Sequence, residues 1–478
     1  MSIIIPANSA VGGGYNVDNS CRFNKTSSDY LNKTLGTATN RKKFTFSLWC
    51  KRSSLTDNFG QLMTVGTDGG TNIDEFNFHS TEKLSFQGYE SGVQEFQLRT
   101  NQLFRDISAW YHVVVAYDST QGTSSNRIKM YINGTQVTSF AIENYPDQNH
   151  EPLFNSNVPN YIGRYISASY YYNGYISEAI LVDGQALDPT SFGEFDEDSG
   201  IWKPIDVSGL TFGNNGYYLD FENSGALGAD VSGNGNNFTV NNLTAIDQST
   251  DTCTNNFATL NPLIQLTDAT LSEGNLQVAY GSAGSRAVML SNFGIPSSSG
   301  KWYMEFKISA SSASPCNGSI GVINGSDNSS MGTYLNQDNS VYQGAGYQLW
   351  DGNKNINQVG ATFGATIASG DIVGMAIDMD NKALYFSKNG TYQASGNPAS
   401  GSSKTGAIDF SSLTDNGFWF PQIGDASGTQ TMTYQCNFGS PAFAISSGNT
   451  DGNGYGNFEY AVPANYYSLN TKNLSEFG

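Results

Sequence analysis

The run Glu-Phe-Asp-Glu-Asp at residues 194–198 places several carboxylates close together. On an extended strand Glu194, Asp196 and Asp198 share one face, and two carboxyls ~5–5.5 Å apart can act as nucleophile and acid/base in glycoside hydrolysis. The surroundings argue against that use. The run lies between Pro189 and Gly200, its flanks lack apolar alternation, and an Asp in its last position shortens the reach of a general acid. We read it as a solvated acidic loop. The histidines His79, His112 and His150 lack His-Glu-x-x-His or similar spacing, so a zinc hydrolase is not expected, and His112 reads as structural. There is no Gly-x-Ser-x-Gly elbow in a strand–turn–helix setting. The glycines at 12–14 and 344–346 are not followed by Lys-Ser/Thr, so they are not phosphate loops.

The aromatic residues are more informative. Tyr165, Tyr170, Tyr171 and Tyr172, with Tyr175 nearby, cluster in a loop before a strand, and Tyr342, Tyr347 and Trp350, beside Asp351, form a second cluster. Exposed rings stack on sugar faces while neighbouring Asn and Asp bind hydroxyls, and aromatic patches also build protein interfaces. Consecutive tyrosines cannot all face one core, so at least one is expected at the surface. Sugar binding, a subunit interface and plain packing all remain open.

The elements that hold these residues are strands. Of 478 residues 53 are Gly, 13% are aromatic and only 14% charged. Short strands joined by turns have this composition, and no amphipathic helix longer than two turns is evident. At ~150 residues per domain the length allows two to four domains. Lys and Arg number 23 against 42 Asp and Glu, a net charge of −19. Such a chain repels phosphate backbones and anionic membranes, so nucleic acid is not an expected partner. No apolar run approaches the ~20 residues of a membrane span. Met1 to Pro6 lacks the basic start and long apolar core of a secretory leader, so synthesis in a cytoplasm is expected. The five cysteines are far apart without Cys-x-x-Cys spacing, which suggests neither disulfides nor zinc; Cys50 and Cys436 read as buried small residues.

Alternation is clearest at 370–390, where Gly-Asp-Ile-Val-Gly (370–374) opens an apolar strand and Phe-Ser-Lys-Asn-Gly (386–390) closes the next. Asn389 and Gly390 tolerate the positive φ of a tight turn. This stretch resembles the middle of the SPRY (B30.2-like) β-sandwich. Segments 300–308, 319–322, 346–351, 419–423 and 437–439 match its opening, next, middle, late and closing strands in order. Upstream, Phe-Thr-Phe-Ser-Leu-Trp (44–49), Trp110-x-His112-Val, the Tyr-Ile-Asn-Gly hairpin (131–134), Tyr161-Ile-Gly163 and Gly174-x-Ile176-x-Glu178 resemble the laminin-G-like, concanavalin A-like jelly roll. These resemblances imply an all-β chain: an arm (1–19), a jelly roll (20–200), a Gly/Asn-rich β connector (201–262), a SPRY-like sandwich (263–445) and a tail (446–478). They imply binding and no reaction.

The jelly-roll resemblance also makes calcium possible on the loop rim, with Asp68 and Asp147 as candidate ligands beside the alternative that they cap turns. That fold hosts glycanases as well, and the 194–198 run comes near the Glu-x-Asp-x-Glu pattern of its retaining endoglucanases. Tandem sandwiches of these kinds with Gly/Asn connectors resemble virion-surface and tail-fibre proteins of bacteriophages. The expected role is therefore a non-enzymatic appendage on the virion surface, binding a host glycan or receptor and other virion proteins, as a homo-oligomer with a trimer favoured. A purely structural capsid decoration and a polysaccharide depolymerase are the alternatives.

Overall fold

The computed structural model describes residues 14–55, 59–264, 268–282, 287–324, 343–357, 359–425 and 429–478. Its elements are strands, short 3-10 turns and one two-turn helix, Thr471–Phe477. The chain divides into two compact units, with the boundary between Thr254 and Asn255. No helix among the described residues is long and apolar enough to cross a membrane.

The first unit is a two-sheet sandwich. Its strands are β1 (Ser20–Phe23), β2 (Tyr30–Thr34), β3 (Lys43–Arg52), β4 (Phe59–Asp68), β5 (Asn72–His79), β6 (Lys83–Glu90), β7 (Val93–Leu103), β8 (Trp110–Asp118), β9 (Ile128–Ile132), β10 (Thr135–Gln136), β11 (Phe140–Asn144), β12 (Pro159–Ile162) and β13 (Gly174–Asp183). There follow β14 (Gly193–Phe195), β15 (Trp202–Pro204), β16 (Tyr217–Leu219), β17 (Thr239–Asn241) and β18 (Gln248–Ser249). One sheet has the order β10-β9-β8-β3-β13-β1-β18 with β16 beside β13, and the other β11-β7-β6-β5-β4-β12-β2-β17. Every pairing in them is antiparallel, and the β9–β10 hairpin turns on Asn133 (φ 46) and Gly134 (φ 76), where positive φ is needed.

Period-two alternation builds the core. Phe44, Phe46, Leu48 and Cys50 of β3 face Phe76 and Phe78 of β5 and Leu84 and Phe86 of β6 across the sandwich. The opposite face of β3 is buried too. Trp49 packs with Val17, Trp110, Tyr175, Trp202 and Cys253, so segments before β1 and after β13 cover the outside of this sheet. Val114, Ile180 and Val182 are covered in the same way by Phe192, Val207, Phe212 and Tyr218. Residues 201–254, expected as a connector, thus complete the first unit: β16 pairs with β13, β17 with β2 and β18 with β1. Residues 14–19 of the expected arm also lie on this unit, where the Val17 amide donates to Thr254 Oγ1 at 3.1 Å.

The second unit has a nine-stranded and a seven-stranded sheet. Lys301–Ser311 lies between Ile372–Asp378 and Met432–Asn437 in the first, and Gly318–Ile323 between Gly344–Gln348 and Phe418–Asp425 in the second. The strand Ala383–Lys388 pairs with Ile372–Asp378, and Asn389 (φ 48) and Gly390 (φ 80) turn it back onto Thr391–Tyr392. The tail folds onto the unit: Tyr467–Ser468 pairs in parallel with Lys301–Ser311, and the buried Glu305 carboxylate accepts from the amides of Glu459 (2.9 Å) and Tyr460 (2.8 Å).

The two Gly/Asn stretches share a design. Asp230 accepts from the amides of Tyr218, Ser232 and Asn236. Asp451 likewise accepts from the amides of Asn453, Tyr455 and Ser468. In each, one carboxylate organises a loop whose backbone would otherwise go unpaired.

Candidate functional site

The outer face of the second sheet of the first unit differs from that of the first. Phe76 and Phe78 turn into the core, so Glu75 and Asn77 turn away from it. The pairing registers then align Asn32, Tyr161, Thr64, Glu75, Gln87, Gln97 and Asn144 across seven neighbouring strands, β2, β12, β4, β5, β6, β7 and β11. Six inter-strand steps make a polar row about 29 Å long.

The row is hydrogen-bonded within itself. Glu75 Oε2 accepts from Gln61 Nε2 (3.1 Å) and Asn77 Nδ2 (3.0 Å), and Oε1 from Gln87 Nε2 (3.2 Å). Gln97 Nε2 donates to Gln87 Oε1 at 2.6 Å, and Gln94 Nε2 donates to Gln97 Oε1 at 3.1 Å and to the Tyr89 hydroxyl at 2.7 Å. Burial raises the Glu75 pKa, opposed by the amide hydrogen bonds and by the charge of Arg99.

Aromatic rings flank this row. Tyr165 lies over Gly69, where a Cβ would come within 3.2 Å of the ring. Its hydroxyl is pushed up to about 12 by burial and by the charges of Glu75, Tyr170, Tyr89 and Asp68. Tyr170 meets Tyr165 edge-on at 5.8 Å and Phe59 at 5.1 Å, and Phe59 meets His79 at 5.2 Å. Arg164 fixes the loop that carries the two tyrosines. Its guanidinium stacks on Tyr30 (4.4 Å) and Tyr161 (4.9 Å) and donates to the carbonyls of Tyr165 (3.1 Å) and Ile166 (2.8 Å).

Of the residues singled out in the sequence, Tyr165 and Tyr170 are brought to this face. Tyr171 is half-buried against Tyr30. Three others are buried and have no ring face to offer a ligand. Tyr172 packs on Phe23 and donates to the Lys51 carbonyl at 2.8 Å. Tyr175 lies against Trp110 under the covered first sheet, and Tyr347 sits in the second core between Phe363 and Phe386. Trp350 is half-buried, and Asp351 is exposed and closes a turn by accepting from Asn353. Tyr342 lies outside the described residues. The mark of the amide row in the sequence is slight: Glu75, Gln87 and Gln97 each alternate with a core Phe.

The metal and catalytic candidates fare differently. Hydrogen bonds from Thr71 and Asn72 hold the Asp68 carboxyl below its usual range, and Asp147 is exposed, its carbonyl accepting from the His150 amide at 3.2 Å. Among the described residues no group of three or more His, Cys, Asp or Glu is placed to hold a metal. Glu194 lies not in a loop, as expected, but on the strand β14, and pairs with Lys203 of β15. Lys203 Nζ bridges Glu194 (3.3 Å) and Asp196 (3.2 Å). Hydrogen bonds from Ser199 and Lys203 lower Asp196 to about 2, the reverse of what a general acid needs.

One buried pair has catalytic spacing without catalytic polarity. Ser47 Oγ lies 2.9 Å from His112 Nε2, while Trp202 Nε1 donates to His112 Nδ1 at 2.9 Å. An indole N–H only donates, so Nδ1 accepts, the ring proton sits on Nε2, and Ser47 Oγ is its acceptor. His112 is stacked between Trp49 and Trp202, and burial lowers its pKa to about 3. It is a core histidine, not a base.

This architecture defines a binding protein: a lectin-type jelly roll followed by a second β-sandwich. Residues 25–190 match the model of the concanavalin A-like lectin/glucanases superfamily, and residues 301–418 match that of the SPRY domain. Over 125 residues, 25% of this chain, it is 30% identical to the "Ran-binding proteins 9/10 homolog" of Drosophila melanogaster, and it spans 12% of that protein's length. Among solved structures, mouse laminin alpha1 chain domains LG4-5 are 12% identical, with 87% of this chain and 84% of that one covered at a TM-score of 0.30. The SPRY domain of human HERC1 is 15% identical, with 37% and 96% covered at 0.28.

Proposed function

We propose that the chain is a non-enzymatic, glycan-binding appendage of a bacteriophage particle, and that its first unit binds a host surface polysaccharide on the outer face of the second sheet. The observation that supports this reading is the row through Glu75, Gln87 and Gln97, flanked by Tyr165 and Tyr170. Glu75, Gln87 and Gln97 are buried and hydrogen-bonded to one another, so they form the floor of the face, while the half-buried rings of Tyr165 and Tyr170 and the exposed Asn144 at its edge are what a glycan meets. The face is shallow, so a single contact is weak. A closed homo-oligomer, with a trimer favoured, multiplies it by copy number. Neighbouring virion proteins are the other partners in this reading, and no cofactor takes part.

The test is a panel of bacterial surface polysaccharides, scoring retention of the protein and release of oligosaccharide. Retention without products is expected. Tyr165→Ala with Tyr170→Ala should weaken it about fivefold or more, from the loss of ~0.5–1.5 kcal/mol per ring. Products that vanish in Glu194→Gln would establish a depolymerase instead. No retention by any member would leave the structural alternative.

A further inference from the structure

Beside the amide row, the outer face of the second sheet carries a group of basic side chains that the protein leaves without acidic partners. Arg99 alternates with the core residue Leu98 on β7, Lys83 with Leu84 on β6 and His79 with Phe78 on β5. All three therefore stand on the outer face of three adjacent strands, each partly exposed. Arg99 lies opposite Ser85, one row beyond the Gln87–Gln97 pair, while His79 and Lys83 flank the turn between β5 and β6. The Arg99 Nε is covered and has no hydrogen-bond partner, and among the described residues neither Arg99 nor Lys83 forms an ion pair. Elsewhere on this unit Arg41, Lys43 and Arg52 are each held by a carboxylate, from Glu151, Asp118 and Glu82 in turn. The carboxylate that acts on Arg99 is Glu75, whose oxygens already accept from Gln61, Asn77 and Gln87. His79 supplies a third donor. Its Nδ1 accepts from the Thr81 amide at 3.2 Å, so the neutral ring carries its proton on Nε2. Burial and the charges of Arg99 and Lys83 lower the His79 pKa, which keeps the ring neutral at pH 7. Tyr170 meets Phe59, and Phe59 meets His79, so aromatic rings run up to the cations.

We propose, resting on the reading of this face as a glycan site, that Arg99, Lys83 and His79 form an anion subsite and that the polysaccharide bound here is one whose sugars carry carboxylates. Three donors with no acceptor among them suit an anion better than a hydroxyl, which must donate as well as accept. The planar guanidinium meets a carboxylate with two parallel hydrogen bonds, and such charge-assisted bonds are roughly twice as strong as neutral ones. Phe59, His79 and Lys83 stand on neighbouring strands, β4, β5 and β6. A sugar stacked beside Phe59 and Tyr170 therefore has the donors one or two strand steps away, about 5–10 Å. The net charge of −19 does not forbid an acidic ligand. At ~0.1 M salt, charges more than ~10 Å away are largely screened, so the groups at the subsite decide.

Alginate, polygalacturonate and polysialic acid are the probes, each beside its carboxyl-reduced form, which keeps the backbone and removes the charge. At least one acid should bind the full chain about tenfold or more tightly than its reduced form, as expected for a hydrogen bond to a charged group. The preference should fade at high salt, where the screening length shrinks to ~3 Å at 1 M. Arg99→Gln should reduce it about tenfold. Lys83→Gln, beside the turn and partly exposed, should reduce it several-fold, by roughly half the effect of Arg99→Gln in free-energy terms, and keeps the test decisive should Arg99→Gln not fold. Lys129→Gln makes the same charge change on β9 of the other sheet and should leave the preference as it was. An equal fall in Lys129→Gln would overturn the subsite, since overall charge would then be the cause. Tighter binding of dextran sulfate than of any carboxylate polymer would overturn the choice of carboxylate. Retention of neutral polysaccharides with no preference for an acid would overturn the subsite and leave the glycan face standing. Retention of no polymer at all would overturn both.

Discussion

Replacing Asp251 by alanine is expected to cost the first unit about 3–5 kcal/mol, the penalty for breaking a buried ion pair from one side. Lys51 Nζ lies 2.7 Å from Asp251 Oδ2, with side chains 1% and 0% exposed. The other oxygen accepts from Trp110 Nε1 at 3.1 Å. Alanine removes both acceptors at once and takes the counter-charge from a buried ammonium that lies over the Tyr175 ring. The Ser20 Oγ bond to the Asp251 carbonyl at 2.6 Å survives, so the loss belongs to the carboxylate. Urea unfolding of the full chain, followed through the transition of this unit, reads the effect. Lys51→Met combined with Asp251→Leu should recover most of it, because the desolvation cost of both charges goes with them. A cost below about 1 kcal/mol for Asp251→Ala would mean that water reaches Lys51 and that the pair is not the fastening it resembles.

The same pair marks where reading the sequence runs out. Phe44, Phe46 and Leu48 announce a strand with one core face, and the structure agrees. Nothing nearby shows that Trp49 and Lys51 on the other face are also buried. What covers them, Val17 and residues 251–253, lies some thirty residues before and two hundred after. Where the strands β16, β17 and β18 of the expected β connector pair was hidden for a related reason. Two or three residues between Gly/Asn turns carry little periodicity, and they are strands because β13, β2 and β1 present an edge to them. By contrast Asn133-Gly134 and Asn389-Gly390 were legible because positive φ is a property of the residues themselves.

The candidate site divides along the same line. That some tyrosine of the 165–175 region reaches the surface followed from chain geometry. Which one does depends on Gly163 and Gly174, whose φ values of 85 and 157 turn the chain at either end of the loop and take Tyr172 inward. The row through Glu75, Gln87 and Gln97 needs pairing registers, because its members lie on separate strands and become neighbours only across the sheet. A polar residue alternating with a core Phe reads as an ordinary solvent face until its partners are known to be amides as well.

Asp183→Ala should also destabilise the first unit strongly, by an amount that depends on pH. At the end of β13, Asp183 Oδ2 accepts from the amides of Thr39 (2.6 Å) and Asn215 (3.1 Å), and Oδ1 from the Asn40 amide (3.1 Å) and Asn155 Nδ2 (2.6 Å). One carboxylate, 2% exposed, thereby ties three distant segments to the sheet. Truncation strands several donors at once, and with partial rescue by water the expected loss is on the order of 3 kcal/mol at neutral pH. Burial tends to raise this carboxyl, but the bonds from Asn155, Thr39, Asn215 and Asn40 outweigh it and hold the pKa below its ordinary value. A depressed folded pKa contributes stability that is present above the unfolded value of ~3.9 and is lost as pH falls through the folded one. The gap in urea midpoint between the unaltered chain and Asp183→Ala should therefore narrow from about pH 7 to about pH 3. Asp183→Asn, with one acceptor oxygen in place of two and an amide turned toward donors, should be intermediate at neutral pH and show less of the acid dependence. A gap that stays constant across that range would place the stabilisation in the shape of the residue and not in its charge.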